Sequence, residues 1–353
     1  MKPDHVRDSD QDRGGGGGGG GGGGVGSGDG AGGVGGDVRT GSDDDHHDRA
    51  RSDAHPRPHR HPHHTHRTRT RPSDPIPPPP GGILWTIAGD VRALLMLPSA
   101  LTLQVAHPAV GAGVDEYSVF RTDPWGRGER SVRSLLLWVY GGDEAAAEGR
   151  RLRALHRTIQ GTDTRGHRYH ALMPAAYAWV HATGFPVYRH AQRYLGRPFT
   201  EAEERQLYAE WLQVGRILGI HDRDMPRTPE EFWPYYRKIL AEELELTPVA
   251  RELTATDASV PPPDRGPRPV RALVRAAWPL LLPPLARFRR FLTIGLMPPD
   301  ARQALGLPWT PRQERALRRF GLVIRTLVPL LPERLHYLPF ARRARARHRA
   351  ARH

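Results

Sequence analysis

The 353-residue chain contains no cysteine. This absence excludes a disulfide scaffold, a cysteine nucleophile, a thiolate-ligated metal and a covalently attached c-type haem. Lysine is scarce as well, since only Lys2 and Lys238 occur and arginine carries the basic charge. The basic residues are not interleaved with aromatic side chains and no recognition module is present, so no nucleic-acid partner is expected.

Several catalytic motifs are also missing. There is no Gly-x-Ser-x-Gly elbow of a serine hydrolase, no His-Glu-x-x-His of a zincin, and no pair of Glu-x-x-His motifs on two helices as in a di-iron bundle. Gly14–Gly24 is an unbroken run of glycine, which is a low-complexity segment and not a phosphate-binding loop.

The composition divides the chain into three parts. Residues 1–80 hold the glycine run and a tract rich in Asp, His, Arg and Pro, which cannot bury enough apolar surface to offset the entropy of ordering. We therefore expect a disordered region over residues 1–80, one folded domain over residues 81–340, and a basic disordered tail over residues 341–353. The histidines of residues 1–80 are expected to be solvated, and a loosely held metal ion is the alternative.

Positive charge is concentrated in the folded domain and the tail. Residues 1–80 carry a net charge of −1, from 11 basic and 12 acidic side chains. The formal net charge of the whole chain is +14, so the remaining residues carry +15. The last thirteen residues contain six arginines and no acid. Such a tail is expected to be solvated, with peripheral contact to an anionic membrane as the alternative.

The amino terminus lacks the pattern of a signal peptide, because Met1 begins an acidic, glycine-rich stretch. A cytoplasmic location follows as the expectation, with membrane association left open. The segment 93–114 is apolar, but it contains Pro98 and Pro108 and no aromatic anchors at its ends. It is interpreted as a buried helix pair broken at the two prolines, with a membrane span as the alternative.

From Ala88 onward the hydrophobic pattern is helical, and no stretch alternates with period two for long enough to predict a strand. Apolar residues recur at helical spacing, and Thr200, Thr228 and Thr310 carry the start signals of three helices. A helix from Asp143 is predicted to run to about Gln160 with Gly161 as its stop. One more helix spans about 174–194, and 247–270 is predicted as a proline-rich loop. The fold class is therefore all-α.

Two histidines fall on the apolar faces of these helices. His156 follows Leu152 and Leu155 in one stripe, and His181 follows Tyr177 and Val180 in the next. A core-facing imidazole needs a hydrogen-bond partner or a metal. A single such histidine is more often a satisfied core residue, whereas two on neighbouring helices indicate a candidate site, and a lone histidine ligand in an apolar helical domain is typical of b-type haem.

A cationic cluster opens the preceding helix. Arg127, Arg130 and Ser131 stand at i, i+3 and i+4 and can share one helix face. Two guanidiniums and a hydroxyl at a helix start suit an anionic group such as a carboxylate, a haem propionate or dioxygen carrying partial negative charge. A solvated basic turn is the alternative interpretation.

An ordered series of short motifs resembles one family. Gln104-Val105-Ala106-His107-Pro108, Phe120-Arg121-Thr122-Asp123-Pro124 and Arg127-x-x-Arg130-Ser131 come first, and Leu155-His156-x-x-Ile159-x-Gly161, Gly166-x-x-Tyr169 and Trp179-Val180-His181 follow. In order and spacing the series resembles the oxygenase MpaB / rubber oxygenase (latex-clearing protein) catalytic domain, from about Ile83 to Leu331.

The resemblance implies a single globin-like helical domain that holds non-covalent haem b. His156 matches the histidine that ligates the iron, and His181 matches a later histidine linked with haem binding or stability. Arg127, Arg130 and Ser131 match the arginine, lysine and threonine of the opposite side in the rubber-cleaving members. His107 is assigned either to the cofactor or to capping a helix end through its ring.

Departures from the family pattern bear on the substrate. Arg130 replaces the lysine, Ser131 replaces the threonine, and Gln160 and Gly161 replace the arginine and histidine that follow the iron ligand. With no export signal, these differences argue against rubber and favour prenyl chains or other lipids.

The sequence thus predicts a haem b-dependent oxygenase that uses dioxygen on an apolar substrate, with Glu116 as a candidate base for an allylic proton. The apolar stretch 100–114 is a candidate wall for a hydrocarbon tunnel. The alternative is a non-catalytic helical protein that binds lipid or a membrane surface.

Overall fold

The computed structural model describes residues 75–257 and 260–352, and within these ranges its regular secondary structure is helical apart from one short hairpin. The helices are α1 (Ile83–Ile87), α2 (Ala93–Val105), α3 (Pro108–Tyr117), α4 (Pro124–Tyr140), α5 (Glu144–His156), α6 (Pro174–Ala182), α7 (Gly184–Leu195), α8 (Glu201–Ile217), α9 (Pro229–Glu242), α10 (Pro248–Thr254), α11 (Arg268–Gly295), α12 (Pro299–Ala304), α13 (Pro311–Leu327), α14 (Glu333–His336) and α15 (Pro339–Ala350). The all-α prediction is confirmed. The expected disorder of residues 1–80 falls mostly on residues outside those described.

One small hairpin departs from the all-helical expectation. Helix α5 ends at His156 and not near Gln160, and the chain then forms β1 (Gln160–Thr162) and β2 (Arg168–His170), which pair antiparallel with Gly161 opposite Tyr169. The prediction that Gly161 stops a helix is therefore wrong. Strands of three residues are too short to show an alternating pattern, and for that reason the hairpin was not predicted.

The predicted helix starts are confirmed where threonine precedes a helix. Thr200 and Glu203 form a complete capping box at α8, and Thr310 does the same with Gln313 at α13. The Thr228 side chain accepts the backbone N–H of Glu231 at α9. Thr247 caps α10 in the same way, so the predicted loop 247–270 contains a helix and merges into the start of α11.

The apolar segment 93–114 forms two helices that meet at an angle of 107°. Pro108 lies at the start of α3, as predicted, because its missing N–H costs nothing in the first turn. Pro98 lies inside α2 and does not break it, which corrects the expected break there. Among the described residues no single helix has the length and hydropathy needed to cross a membrane, although this bent pair meets both criteria when taken together.

The predicted helix over 174–194 is interrupted at Thr183, between α6 and α7. Pro186 explains the interruption, because a proline has no N–H to donate to the carbonyl four residues earlier, here that of Ala182. The break directs α7 into the core, where Phe185 and Val187 are fully buried.

The centre of the domain is an aromatic cluster. The Phe185 ring lies edge-on to Phe232 at 5.0 Å and to Tyr208 at 4.8 Å, and Tyr236 stacks at 5.9 Å on Phe232 and at 6.1 Å on Trp179. All five rings are at most 1% exposed. Aromatic pairs at such separations stabilise a core beyond the area that they bury, so α6, α7, α8 and α9 form the rigid part of the fold.

The carboxyl-terminal segment returns to the beginning of the domain. Val91 donates its N–H to the carbonyl of His336 at 3.0 Å, and Leu338 donates to that of Gly89 at 2.8 Å. The following residues form α15, which packs on α4 and buries Ala341 completely. The prediction of a disordered tail over 341–353 is therefore wrong for residues 341–350, which are helical. That prediction considered only the charge of the segment, whereas its alanines at helical spacing form an apolar face that packs on the domain.

Candidate functional site

Four of the candidate residues, Glu116, Arg127, Arg130 and Ser131, lie at the carboxyl-terminal end of α3 and in the first turns of α4. The hydroxyl of Tyr117, the last residue of α3, donates to the carbonyl of Gln160 in β1 at 2.8 Å. Arg127 in α4 donates its Nε–H to the Ser118 hydroxyl, directly after α3, at 2.7 Å. We call this group of elements (the end of α3, β1, β2 and the first turns of α4) the α3 corner.

His156 lies at the end of α5, four residues before the hairpin, and is half-buried. Its Nδ1 is 2.7 Å from the carbonyl oxygen of Leu152, which can only accept, so Nδ1 carries the proton. The ring packs edge-on against Tyr177 at 6.0 Å. Nε2 has no hydrogen bond to any residue that the structure describes. A histidine whose Nδ1–H is held by a backbone carbonyl presents its Nε2 lone pair to a ligand, which is the usual arrangement of a metal-binding imidazole.

Arg127 is the cation best placed to meet a negative group. Its guanidinium is half-buried, and within the described chain its one hydrogen bond is that to Ser118. No carboxylate of a described residue pairs with it. Burial lowers the pKa of Arg127, and the nearby charge of Arg130 adds to the lowering. A half-buried guanidinium without a counterion is costly in isolation and favours binding of an anion.

Arg130 and Ser131 are exposed and make local contacts. Arg130 forms an ion pair with Asp123 at 3.1 Å, and both side chains are at least half exposed. Asp123 itself caps α4 by accepting the N–H of Gly126. The Ser131 hydroxyl donates to the carbonyl of Arg127 at 3.0 Å. The solvated interpretation therefore describes these two residues well, whereas it does not describe Arg127.

Glu116 and Tyr169 approach each other across Gly161. A Cβ at position 161 would lie 3.0 Å from the Tyr169 hydroxyl oxygen and 3.1 Å from Oε2 of Glu116. Tyr169 is 5% exposed, and its hydroxyl has no hydrogen-bond partner among the described residues. Burial raises the pKa of Tyr169, and the charge of Glu116 contributes. The α3 corner thus holds the Glu116 carboxylate near the Tyr169 hydroxyl, which has no hydrogen-bond partner among the described residues. Glycine at position 161 leaves space between the two groups, which a Cβ would crowd.

His181 is a satisfied core residue. Its Nε2–H donates to the carbonyl of Trp211 at 2.9 Å, and its ring stacks on the Trp211 indole at 5.3 Å. The Trp211 indole N–H in turn donates to the carbonyl of His181 at 3.0 Å. Burial lowers the pKa of His181 to about 4. These contacts occupy Nε2, so the predicted cofactor role of His181 is at most that of supporting the fold around the site.

His107 stands at the opposite end of α3 from Glu116, nine residues and therefore about 13 Å along the helix. It occupies the position before the first turn of α3 but makes no capping hydrogen bond, so the capping interpretation is wrong. Its Nδ1 is buried without a partner among the described residues, and burial lowers the pKa of the ring. The structure does not bring His107 to the α3 corner.

Two residues of the corner were not proposed from the sequence as site residues. Tyr169 belongs to the Gly166-x-x-Tyr169 motif, and Ser118 follows α3 without any motif. Only the pairing of β1 with β2 shows that Tyr169 lies opposite Gly161. The described residues contain no cluster of three or more His, Asp or Glu side chains that could hold a bare metal ion, whereas a haem needs a single imidazole.

Comparison with known proteins identifies relatives. The model of the family described as ER-bound oxygenase mpaB/B'/Rubber oxygenase, catalytic domain, matches residues 85–326. Uncharacterised proteins of Mycobacterium bovis and Mycobacterium tuberculosis are each 26% identical over 248 residues, which cover 68% of this chain and 91% of theirs. No solved structure matches significantly. The matched range contains His156, Arg127 and the whole α3 corner.

Proposed function

The chain belongs to the ER-bound oxygenase mpaB/B'/rubber oxygenase catalytic-domain family, and we propose that it is a haem b-dependent oxygenase acting with dioxygen on an apolar isoprenoid or lipid substrate. The single observation that carries the haem assignment is the hydrogen bond from Nδ1 of His156 to the Leu152 carbonyl at 2.7 Å. This hydrogen bond leaves the lone pair of Nε2 free to bind the iron.

The residues present fit this cofactor in their chemistry. His156 supplies one imidazole, Arg127 supplies a cation without a counterion among the described residues, and Tyr169 supplies a hydroxyl without a partner there. Bound haem b supplies the redox-active iron at which dioxygen is activated. Arg127 would hold a negatively charged group, either a propionate or a substrate carboxylate.

Glu116 is the proposed base. Its carboxylate lies on the exposed side of the corner beside Gly161, where it can accept a proton from an allylic carbon of the substrate. The neighbouring Tyr169 hydroxyl can donate a hydrogen bond to the same carboxylate once the side chains adjust. Arg130 and Ser131 stay candidates for the opposite side, although their present contacts are with α4 and Asp123.

A visible spectrum and an iron determination test the haem assignment. We expect the purified protein, alone or after addition of hemin, to show a Soret band with one haem per chain. His156→Ala should abolish it, and imidazole added to His156→Gly should restore it, because the variant leaves a space at the ligand position. His167→Ala is the matched control, since His167 lies in the nearby hairpin turn with an exposed ring. A folded wild type that stays colourless with hemin overturns the proposal.

A second candidate function, attachment to a membrane surface, is favoured by the distribution of exposed apolar side chains. Among the described residues, twelve of the nineteen large hydrophobic side chains that are exposed lie between Val270 and Leu335. On α11, Leu273, Leu280, Leu281, Leu285 and Phe288 share one stripe. Helix α13 packs beside α11 and adds Leu322, Val323 and Leu327.

Exposed arginines border this apolar face. Arg275 and Arg287 flank the stripe on α11, and Arg318, Arg319 and Arg325 lie on α13. An anionic bilayer complements leucines bordered by arginines, whereas a second copy of the same face would bring like charges together. We therefore propose α11 and α13 as the membrane contact, in place of the carboxyl-terminal segment on which the sequence-based alternative relied.

Sedimentation with vesicles tests this second candidate. The full chain is expected to bind vesicles of phosphatidylcholine with phosphatidylserine, and to bind less in high salt. Leu280→Glu combined with Leu285→Glu should reduce binding at least about ten-fold, while the exposed Leu155→Glu, far from this face in sequence, should not. Equal binding of both variants, or none by the wild type, contradicts the assignment. Neither result depends on haem.

A further inference from the structure

A separate cavity of about 440 Å³ lies between α7, α9 and the start of α12. None of its lining residues belongs to the α3 corner. They are Pro186, Arg189, His190, Arg193, Trp233, Arg237, Pro298, Pro299 and Asp300. The volume is within the range of small-molecule sites in proteins, and the proposed oxygenase function assigns no role to it.

His190 is the buried polar group of this cavity. Only 6% of the residue is exposed, and its Nε2 has no hydrogen-bond partner in the described parts of the chain. Burial lowers the pKa of His190 to about 4, and the charges of Arg302 and Arg193 contribute, so the ring is neutral near pH 7. An unsatisfied buried nitrogen costs free energy unless a ligand or water completes its hydrogen bond.

The arginines of the cavity differ in their pairing. Arg189 is neutralised, since its Nε donates to Glu204 at 2.6 Å and its guanidinium lies 4.7 Å above the Trp233 ring. Arg193 and Arg237 form no salt bridge or hydrogen bond with another residue that the structure describes. Asp300 is the one acid of the lining, and it uses Oδ1 to accept the N–H of Ala301. The cavity therefore carries an excess of positive charge.

One wall is apolar and fixed. The Trp233 indole N–H donates to Oε1 of Glu204 at 3.0 Å, and Arg189 covers the ring from one side. Pro186, Pro298 and Pro299 add rigid apolar surface. A ligand that fits must therefore combine a negative head with a compact apolar body.

We propose that the cavity between α7, α9 and α12 binds a small organic anion, with a phosphate or carboxylate head held by Arg193 and Arg237 and an apolar body placed against Trp233 and the prolines. Guanidiniums suit such heads because their N–H groups match the oxygens of phosphate and carboxylate. The neutral ring of His190 can accept a hydrogen bond from a hydroxyl group of the ligand at Nε2 and adds no charge.

Calorimetry on the full chain with three defined probes tests the proposal: phenyl phosphate, benzoate and inorganic phosphate, at 0.15 M ionic strength. Phenyl phosphate should bind about ten-fold more tightly than inorganic phosphate, because its ring removes apolar surface from water. Comparison with benzoate then shows which head group the arginines prefer.

Charge-removing variants locate the binding. Arg237→Gln and Arg193→Gln should each weaken phenyl phosphate binding about ten-fold, as expected for the loss of one charge-assisted hydrogen bond. Lys238→Gln is the matched control, because it removes one charge from the neighbouring residue of α9, which is not part of the lining and lies near Glu242. At this ionic strength distant charges are screened beyond about 8 Å.

The outcomes separate cleanly. Selective loss in the two arginine variants, with the lysine variant unchanged, supports the cavity. Equal weakening in all three variants shows non-specific charge attraction and overturns it, as does the absence of binding by any probe at millimolar concentration. Arg193 and Arg237 are exposed, so their replacement leaves the fold intact, and the measurement is independent of haem.

Discussion

The surroundings of His156 and of His181 show how differently two histidines with the same sequence pattern can be used. His181 gives its Nε2–H to a backbone carbonyl and stacks on Trp211 in the aromatic core. His156 gives its Nδ1–H to Leu152 and leaves Nε2 without a hydrogen bond to any described residue, at the half-buried end of α5. In His181 the Nε2 nitrogen is bonded within the aromatic core, whereas in His156 the Nε2 nitrogen is open to a ligand at a partly exposed position. We therefore expect His181 to contribute mainly to stability, and we propose that His156 contributes to function.

The largest expected difference is in stability. His181→Ala removes the stacked ring and leaves the Trp211 carbonyl without its donor, so the free energy of unfolding should fall by about 3 kcal/mol. His156→Ala should lower it by less than about 1 kcal/mol in the absence of haem. Urea denaturation of both variants measures this. If His156→Ala proved the more destabilising, the assignment of His156 to function rather than to the core would be wrong.

A change of pH sharpens the comparison next. The pKa of His181 is about 4 in the folded chain and 6.5 in the unfolded chain, so the unfolded state binds more protons below pH 6.5. Through His181, the free energy of unfolding should therefore decrease as pH falls, by about 2 kcal/mol between pH 7 and pH 5. His190 contributes in the same direction. His181→Gln should roughly halve this dependence in denaturation at the two pH values, and an unchanged slope would show that His181 does not titrate as described.

The smallest expected effect concerns the two arginines of α4. Arg127 has no counterion among the described residues, so Arg127→Gln should leave Tm unchanged or raise it by about 2 °C while weakening hemin binding about ten-fold. Arg130→Gln removes only an exposed ion pair with Asp123 and should change Tm by less than about 1 °C, with little effect on hemin. Thermal denaturation and hemin titration give both quantities. Similar hemin affinities in the two variants would contradict the special position of Arg127.

The sequence predicted local features well because they depend on neighbouring residues. The capping boxes at Thr200 and Thr310 and the buried stripe of α8 follow from spacing within one or two turns. The break at Thr183 was missed although Pro186 lies inside the predicted helix, because an interior proline does not always end a helix, as Pro98 inside α2 shows. The short hairpin was missed because it has no periodic pattern.

The candidate site was predicted in part for a related reason. The sequence singled out His156 and Arg127, and the structure shows that each has an unused polar group: Nε2 of His156 and a guanidinium without a counterion among the described residues. It could not distinguish His156 from His181, because the difference lies in the partner of each ring, and the carbonyl of Trp211 is thirty residues away along the chain. It could not place Tyr169 beside Glu116 either, since this proximity requires the hairpin to pack on α3.

The return of the carboxyl terminus has a practical consequence for anyone who wishes to shorten the chain. The segment shared with the family ends at residue 326, yet Ala341 sits so close to Gly89 that no side chain could be added there, and Leu338 donates to the Gly89 carbonyl. Cutting at the homology boundary would uncover Trp85 and Tyr140, whose rings lie 4.6 Å apart near α15. We therefore expect the smallest unit that folds independently to be longer than the segment shared with the family.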